Sequence, residues 1–164
     1  MAERILNILI LCTGNSARSI LGEMLVNRIG QGQFRGFSAG STPVGQVNPF
    51  ALRLLAEKAY DITGLRSKSW DEFTGPDAPE IDFVFTVCDN AAGETCPIWP
   101  GHPLQAHWGL PDPAAASGSD ADIMRAFKTA YGQLQRRISA FAALDLDQLD
   151  PQSLKSELQA IGRL

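Results

Sequence analysis

The sequence predicts an α/β protein with an open four-stranded parallel sheet and helices on both faces. Two observations support this fold class. Short apolar runs rich in β-forming residues alternate with stretches that carry apolar residues at helical spacing, which is the pattern of a parallel sheet covered by helices. The run IDFVFTV at residues 81–87 is almost continuously apolar, as expected of a central strand buried on both faces.

The first half of the chain contains two predicted strands and two predicted helices. Residues 5–11 form the first strand, which ends at a turn that contains glycine. Apolar residues at helical spacing then predict a helix over about residues 18–29. Residues 34–38 form the second strand. Asn48, followed by a proline, predicts the N-cap of a helix over about residues 49–60.

The second half of the chain supplies the other two strands and a long helix. Residues 81–87 form the central strand, and residues 105–110 form a looser fourth strand. Ser119 and Asp122 have the spacing of a capping box. Apolar residues at helical spacing continue from there to about Phe141 and predict a long amphipathic helix.

The C-terminal residues are predicted to be an addition to the main domain. We expect residues 1–145 to form a single α/β domain and residues 146–164 to form an appended C-terminal helix or tail. Asp150, followed by a proline, begins this short helix. One face of it carries three apolar side chains: Leu154, Leu158 and Ile161. Such a stripe most often packs within the chain, and a partner-binding surface is the alternative.

Composition and charge exclude several classes of function. The chain has 164 residues and a net charge of −4, with lysines and arginines scattered along it, so we expect no nucleic-acid partner. The apolar run at residues 5–11 is too short to cross a membrane and lacks a signal-peptide cleavage pattern, so a cytoplasmic protein is predicted. Three cysteines, an odd number, favour reactive, metal-bound or buried thiols over a disulfide framework.

The stretch LCTGNSARS at residues 11–19 predicts an oxyanion site. Cys12 ends the first strand at the carboxyl edge of the sheet, where ligands bind. Gly14 and Asn15 tolerate positive φ, so the loop can turn its N–H groups inward beside the N-terminus of the next helix. Arg18 adds a planar fork for two oxygens, and Ser19 can donate a hydrogen bond to a Cys12 thiolate. These positive surroundings should lower the pKa of Cys12. The predicted oxyanion-binding residues are Thr13, Gly14, Asn15, Ser16, Ala17, Arg18 and Ser19.

Two further segments place reactive groups near the same sheet edge. Cys88 ends the central strand, so its thiol can approach Cys12, and Cys96 follows eight positions later. Asp112 lies in the segment HWGLPDPA, and its carboxyl group is a candidate general acid.

These segments together resemble a known family. The C-x5-R loop followed by serine resembles the low-molecular-weight tyrosine phosphatase superfamily. The anion loop, the segment VCDNAAGETCP at residues 87–97 and the segment HWGLPDPA at residues 107–114 together resemble arsenate reductases built on the phosphatase fold, of the kind regenerated by thioredoxin. The resemblance covers residues 4–143.

The resemblance implies a reaction without a metal or organic cofactor. Cys12 attacks arsenate held by the loop and Arg18, and Asp112 protonates the leaving oxygen. Cys88 then attacks Cys12 and releases arsenite, and Cys96 moves the disulfide to Cys88, where a thioredoxin-like or glutaredoxin-like reductant reduces it. Phosphate and sulfate would mimic arsenate. Some relatives also bind a potassium ion near the residues equivalent to Asn15, Glu23 and Ser38.

Two departures from the family pattern bear on this interpretation. Many relatives carry a second cysteine inside the anion loop, where this chain has Ala17, so the resolving thiol must come from Cys88 or from outside the protein. Alanines follow Pro113 where phosphatases tend to have aromatic residues, which removes a wall for a phosphotyrosine ring. A phosphatase, which needs only Cys12, Arg18 and Asp112, and a non-enzymatic oxyanion sensor are the alternatives.

Several site residues also have simpler explanations. Cys88 is small enough to serve only as a buried strand end, and Cys96 can be incidental. A zinc site is disfavoured by its C-x7-C spacing; its ligands would be Cys88, Cys96, His102 and His107. Asp112 precedes a proline and suits a helix N-cap. Glu23 follows the loop on a helix, where a carboxylate usually faces solvent.

Overall fold

A computed structural model describes residues 5–87 and 103–164 and contains the predicted parallel sheet. All strand pairs are parallel, and the order across the sheet is β2-β1-β3-β4. The strands are β1 (Leu6–Cys12), β2 (Phe34–Gly40), β3 (Phe83–Thr86) and β4 (Leu104–His107). The predicted fold class is confirmed, with β1 and β3 in the centre of the sheet.

Within residues 5–87 and 103–164, four α-helices and two short 3-10 helices surround the sheet. The α-helices are α1 (Arg18–Ile29), α2 (Pro49–Glu57), α3 (Asp120–Ala142) and α4 (Pro151–Ile161), and the 3-10 helices are Trp70–Phe73 and Pro113–Ala115. The predicted caps are present: Asn48 accepts from the backbone N–H of Phe50, and Ser119 and Asp122 form a complete capping box.

The two faces of the sheet are covered differently. Ile8 and Ile10 of β1 lie on one face, in a core cluster that all four α-helices join, and Phe141 of α3 packs there on the ring of Phe85. Leu9 and Leu11 lie on the other face, where the cluster includes Phe73 of the first 3-10 helix. Among the described residues, helices therefore cover both faces, but α-helices pack on only one of them.

Some predicted boundaries were wrong by a few residues. The second helix ends at Glu57 because Ala59 adopts a positive φ of 65° and the N–H of Tyr60 bonds to the carbonyl of Leu55. The third and fourth strands are shorter than predicted, although Trp108 N still donates to Thr86 O at 2.7 Å beyond the end of β4.

The C-terminal helix packs into the main core. Its three apolar side chains are buried in the same cluster as the sheet, which confirms the intramolecular role of the stripe. The indole Nε1 of Trp108 donates to the carbonyl of Leu158 at 2.9 Å. The division of the chain into residues 1–145 and 146–164 stays a prediction. Across the described residues, no helix is long and apolar enough to cross a membrane.

Candidate active site

The predicted anion loop joins the buried end of β1 to α1. Cys12 is 5% exposed at the carboxyl end of β1. Asn15 has a φ of 47°, so it makes the left-handed turn that the sequence predicts. Gly14 does not have a positive φ; its lack of a side chain instead allows close packing, because a Cβ there would lie 3.3 Å from Cγ1 of Val44.

Backbone bonds from outside the loop orient its peptide groups. Three N–H groups of residues 42–48 donate to carbonyls of the loop: Thr42 N to Thr13 O (2.9 Å), Val44 N to Gly14 O (3.0 Å) and Asn48 N to Ser16 O (2.9 Å). In a trans peptide the N–H points opposite to the C=O. The N–H groups of Gly14 and Ala17 are therefore directed away from residues 42–48, as an anion-binding loop requires.

The first turn of α1 has no side-chain cap. Ala17 occupies the N-cap position, and its methyl group has no polar atom with which to cap the helix. The other three α-helices in the described part of the chain begin with a side-chain cap that occupies a first-turn N–H group. The first N–H groups of α1 and its dipole are thus left for an anion bound in the loop.

Asn15 and Ser19 form a buried network beneath the loop. Both residues are fully buried. Asn15 Nδ2 donates to Ser19 Oγ at 2.8 Å, and Asn15 Oδ1 accepts from the backbone N–H of Lys68 at 2.8 Å. Ser19 accepts in this bond, so its hydroxyl hydrogen is left to donate elsewhere, as its predicted role toward the Cys12 thiolate requires.

Cys12, Arg18 and Asp112 line one pocket, as the sequence predicts. The pocket has a volume of about 240 Å³. Its lining residues are Cys12, Thr13, Gly14, Ser16, Ala17, Arg18, Val44 and Asp112. Val44 is 64% exposed, so it places an apolar side chain where the pocket opens to solvent.

Arg18 connects the anion loop to the segment that contains Leu110 and Asp112. Its Nη1 donates to the carbonyl of Leu110 at 2.9 Å, and its Nη2 lies 3.6 Å from Oδ2 of Asp112. Its side chain is 14% exposed. The Nε atom is buried and has no hydrogen-bond partner among the described residues. A buried guanidinium donor without a partner is costly, and Arg18 lines the pocket, so its Nε is a candidate donor to a bound anion.

Asp112 has the capping role that the sequence suggested, and its role as a general acid stays a prediction. Its Oδ1 accepts from the backbone N–H of Ala114 at 2.9 Å and caps the 3-10 helix Pro113–Ala115. Its Oδ2 is the oxygen nearer to Arg18. The carboxyl group is 42% exposed, so it stands at the boundary between the pocket and solvent.

The residues expected around a potassium ion surround a lysine instead. Ser38 Oγ donates to Glu23 Oε1 at 2.5 Å and accepts from Lys68 Nζ at 3.2 Å, and Lys68 Nζ lies 3.5 Å from Glu23 Oε1. Burial lowers the pKa of Lys68, and the Glu23 carboxylate opposes that shift. Glu23 is only 17% exposed, so it is not the solvated carboxylate that its place on a helix suggested. Because an ammonium group already lies here, this donor set does not fit a resident potassium ion.

Two of the predicted catalytic cysteines are not described. Cys88, Cys96 and His102 lie outside the described residues, so the relay and the zinc alternative stay predictions. His107 Nδ1 lies 2.8 Å from Thr86 Oγ1. Within the described part of the chain, no cluster of three His, Cys, Asp or Glu residues is placed to hold a metal.

The sequence analysis did not identify the residues that bond to the anion loop from distant positions in the sequence. Ser67 Oγ donates to Gly14 O at 3.0 Å, next to the bond between Lys68 and Asn15. Leu110 supplies a carbonyl to Arg18. Neither a backbone carbonyl nor a serine-lysine pair in a loop has a sequence signature, because these roles arise only when the chain folds.

Known proteins are similar to this chain in sequence and in fold. The family model described as low molecular weight phosphotyrosine protein phosphatase matches residues 7–160. A curated arsenate reductase from Oceanobacillus iheyensis is 35% identical over 132 residues, which are 80% of this chain and 91% of the relative. An arsenate reductase from Bacillus subtilis is 33% identical over the same shares of the two chains.

A solved structure described as an arsenate reductase in the phosphate binding state has the same fold. It is 26% identical, with a TM-score of 0.69 over 85% of this chain and 98% of that one. The family match spans the anion loop and also residues 108–112, the loop that carries Asp112 and is called the Asp112 loop below. The chain therefore belongs to the low molecular weight phosphotyrosine protein phosphatase family.

Proposed function

We propose that this protein is an enzyme that reduces arsenate to arsenite. The observation that carries the proposal is the pocket in which Cys12, Arg18 and Asp112 meet, in a chain whose curated relatives are named arsenate reductase. The sequence adds two cysteines beyond the nucleophile, which a reductase needs and a phosphatase does not.

Arsenate binds in the anion loop as a tetrahedral oxyanion. The N–H groups at the start of α1 and the buried Nε of Arg18 supply donors for its oxygens. Charge-assisted hydrogen bonds of this kind are stronger than neutral ones. The same donors favour the thiolate form of Cys12, which is the nucleophilic form.

The first chemical step joins sulfur to arsenic. The Cys12 thiolate attacks the arsenic atom, an As–O bond breaks, and the protonated carboxyl group of Asp112 gives its proton to the departing oxygen. The product is a Cys12 thioester of arsenate with arsenic still in the pentavalent state. The carboxyl group of Asp112 is available for this step because Asp112 lines the same pocket as Cys12.

The second and third steps move electrons from thiols to arsenic. The Cys88 thiolate attacks Cys12 sulfur, the S–As bond breaks, and its electron pair stays on arsenic, which leaves as trivalent arsenite. Cys96 then attacks Cys88, which frees Cys12 and leaves a Cys88–Cys96 disulfide. A thioredoxin-like or glutaredoxin-like protein returns two electrons to that disulfide. Because the cycle consumes thiol reductant, a reducing compartment such as the cytoplasm stays the predicted location.

Phosphate-ester hydrolysis is the second candidate function. The family model is named for phosphotyrosine phosphatases, and hydrolysis needs only Cys12, Arg18 and Asp112. Alanines at 114 and 115 follow Pro113, so this loop offers no aromatic ring against which a phosphotyrosine ring would stack.

Steady-state turnover of four proteins separates the two functions. Wild type, Cys12→Ser, Cys88→Ser and Cys96→Ser are each given arsenate with a thioredoxin system or a glutaredoxin system, and separately an aryl phosphate. We expect Cys12→Ser to lose all activity. Cys88→Ser and Cys96→Ser should lose arsenate turnover and keep any aryl phosphatase activity. Arsenate reduction by Cys88→Ser at the wild-type rate would refute the relay, and efficient phosphotyrosine hydrolysis without arsenate consumption would favour a phosphatase.

A further inference from the structure

We propose that Lys68 is a built-in cation that positions the anion loop in place of a bound metal ion. Its ammonium group lies 3.2 Å from Ser38 Oγ, 3.5 Å from Glu23 Oε1 and 3.1 Å from the carbonyl of Arg66. An ammonium group has three N–H donors and no acceptor. These three oxygens therefore match its full donor set. The inference deepens the proposed function, because it concerns the same site.

The backbone of Lys68 holds the loop as well. Its N–H donates to Asn15 Oδ1 at 2.8 Å, and its carbonyl accepts from Gly40 N at 2.9 Å. Asn15 in turn donates to Ser19 Oγ. One residue thus connects the end of β2, the left-handed turn of the loop and the first turn of α1.

Charge balance explains why a cation is needed at this place. Glu23 is 17% exposed and Lys68 is 10% exposed, so the carboxylate is largely removed from water. A largely buried charge is costly unless an opposite charge and hydrogen bonds compensate it. Lys68 supplies the opposite charge, and Ser38 Oγ donates a hydrogen bond to the Glu23 carboxylate while it accepts one from Lys68 Nζ.

The same arrangement disfavours a second cation. A potassium ion at Glu23 and Ser38 would lie against the Lys68 ammonium, and two like charges at contact distance repel strongly in a poorly solvated site. The other charged groups that act on Lys68 are Arg66, which disfavours its charged form, and Glu72, which favours it. Lys68 is accordingly a positioning residue, which acts on arsenate only through Asn15 and the loop.

The inference predicts how the protein responds to potassium. Wild type should bind inorganic phosphate, and reduce arsenate, equally well in potassium chloride and in choline chloride at matched ionic strength. Lys68→Ala removes the ammonium and leaves a space lined by Glu23, Ser38 and the Arg66 carbonyl. Potassium ions prefer oxygen ligands of this kind, so potassium should fill the space and restore the loop.

Phosphate binding by calorimetry in the two salts tests this directly. In choline chloride, Lys68→Ala should bind phosphate on the order of tenfold more weakly than wild type, a typical effect of losing an outer partner of a binding site. Potassium chloride should recover most of that loss. Lys68→Met fills the space without a charge, so it should stay weak in both salts. Lys155→Ala, an exposed lysine on α4, is the matched control and should behave as wild type.

The outcomes separate this inference from the proposed function. Stronger phosphate binding by wild type in potassium would overturn the inference, as would unchanged binding by Lys68→Ala in choline or a loss that potassium does not restore. If Lys68→Ala does not fold, Lys68→Met and Lys68→Arg decide: the inference requires binding to be weak in the first and near wild type in the second, in both salts. If wild type binds phosphate equally well in both salts but does not turn over arsenate, the inference about Lys68 is retained and the proposed function is wrong.

Discussion

The anion loop and the loop that carries Asp112 face each other across one pocket, yet they are held in different ways. The anion loop is buried at Asn15 and Ser19 and is bonded along its outer side by residues 42–48 and by Lys68. The Asp112 loop is more exposed, and one of its supports is the side chain of Arg137, which is 4% exposed. Arg137 Nη1 donates to the carbonyls of Trp108 at 2.6 Å and Gly109 at 3.1 Å.

We expect this difference to separate oxyanion binding from turnover. The anion loop is held by hydrogen bonds from residues 42–48 and from Lys68, so its geometry is set before a ligand arrives. The Asp112 loop depends on α3 through Arg137, and Arg137 Nη2 also donates to the C-terminal carbonyl of Leu164 at 3.3 Å. Changes in the anion loop should therefore affect oxyanion affinity, whereas changes behind the Asp112 loop should affect turnover.

The largest effect is expected at Arg18, which follows the anion loop and contacts Leu110 and Asp112. Arg18→Ala should weaken phosphate binding by about 100-fold or more, the scale of losing a preorganised oxyanion donor. Arg18→Lys should recover little, because an ammonium group cannot replace a bidentate fork. Calorimetry with phosphate measures both, and Arg53→Ala, on the exposed side of α2, is the control. Phosphate affinity equal to wild type in Arg18→Ala would contradict the assignment of this pocket as the oxyanion site.

Arg137→Met tests the support of the Asp112 loop. The change leaves the carbonyls of Trp108 and Gly109 without their buried donor, at a cost of about 1–3 kcal/mol in stability. We expect kcat for arsenate to fall while phosphate affinity stays close to wild type. Arg136→Met, the exposed neighbour on α3, should change neither quantity. A loss of phosphate affinity as large as the loss of kcat would mean that the two loops are not held separately.

Leu158→Ala tests whether α4 is part of the same folding unit. Leu158 is fully buried and its carbonyl accepts from Trp108, so the substitution should lower the free energy of unfolding by about 2–5 kcal/mol. Urea denaturation should still give one transition, shifted as a whole. An unchanged main transition with a separate early one would instead support the division at residue 145.

The smallest effect is expected at the cap of α3. Ser119→Ala should lower the free energy of unfolding by about 1 kcal/mol and leave both kcat and phosphate affinity unchanged. That result would show that kcat depends on Arg137 itself and not on the stability of α3 as a whole. The backbone N–H and hydroxyl of Ser119 lower the pKa of Asp122. The stabilisation from that carboxylate is therefore complete above the ordinary aspartate pKa of about 3.9 and is lost as the pH falls. Denaturation curves at neutral and acid pH measure both changes.

The anion loop was predictable because its residues are contiguous in the sequence. The residues from Cys12 to Ser19 carry the nucleophile, the nest and the guanidinium in one stretch, and each of these roles depends on residue type and local conformation. The strands were predictable for a similar reason, since IDFVFTV and the run before Cys12 are apolar over their length.

The supports of the site were not predictable because they come from distant parts of the chain. Lys68 lies 53 positions from Asn15, and Leu110 lies 92 positions from Arg18. Ala59 ends α2 with a positive φ although alanine carries no signal for that conformation. The potassium ion near Asn15, Glu23 and Ser38 was implied by the family resemblance, and only the fold shows that the ammonium group of Lys68 lies beside Glu23 and Ser38.

A single-turnover experiment tests the central claim most directly, because it needs no knowledge of the reductant. Fully reduced protein, with its three cysteines as thiols, is mixed with excess arsenate in the absence of any other thiol, and arsenite and remaining thiols are counted. We predict one arsenite formed and two thiols lost per chain, since reduction of pentavalent to trivalent arsenic takes two electrons, with neither change in Cys12→Ser. No arsenite and three intact thiols, in a protein that hydrolyses an aryl phosphate, would contradict the account.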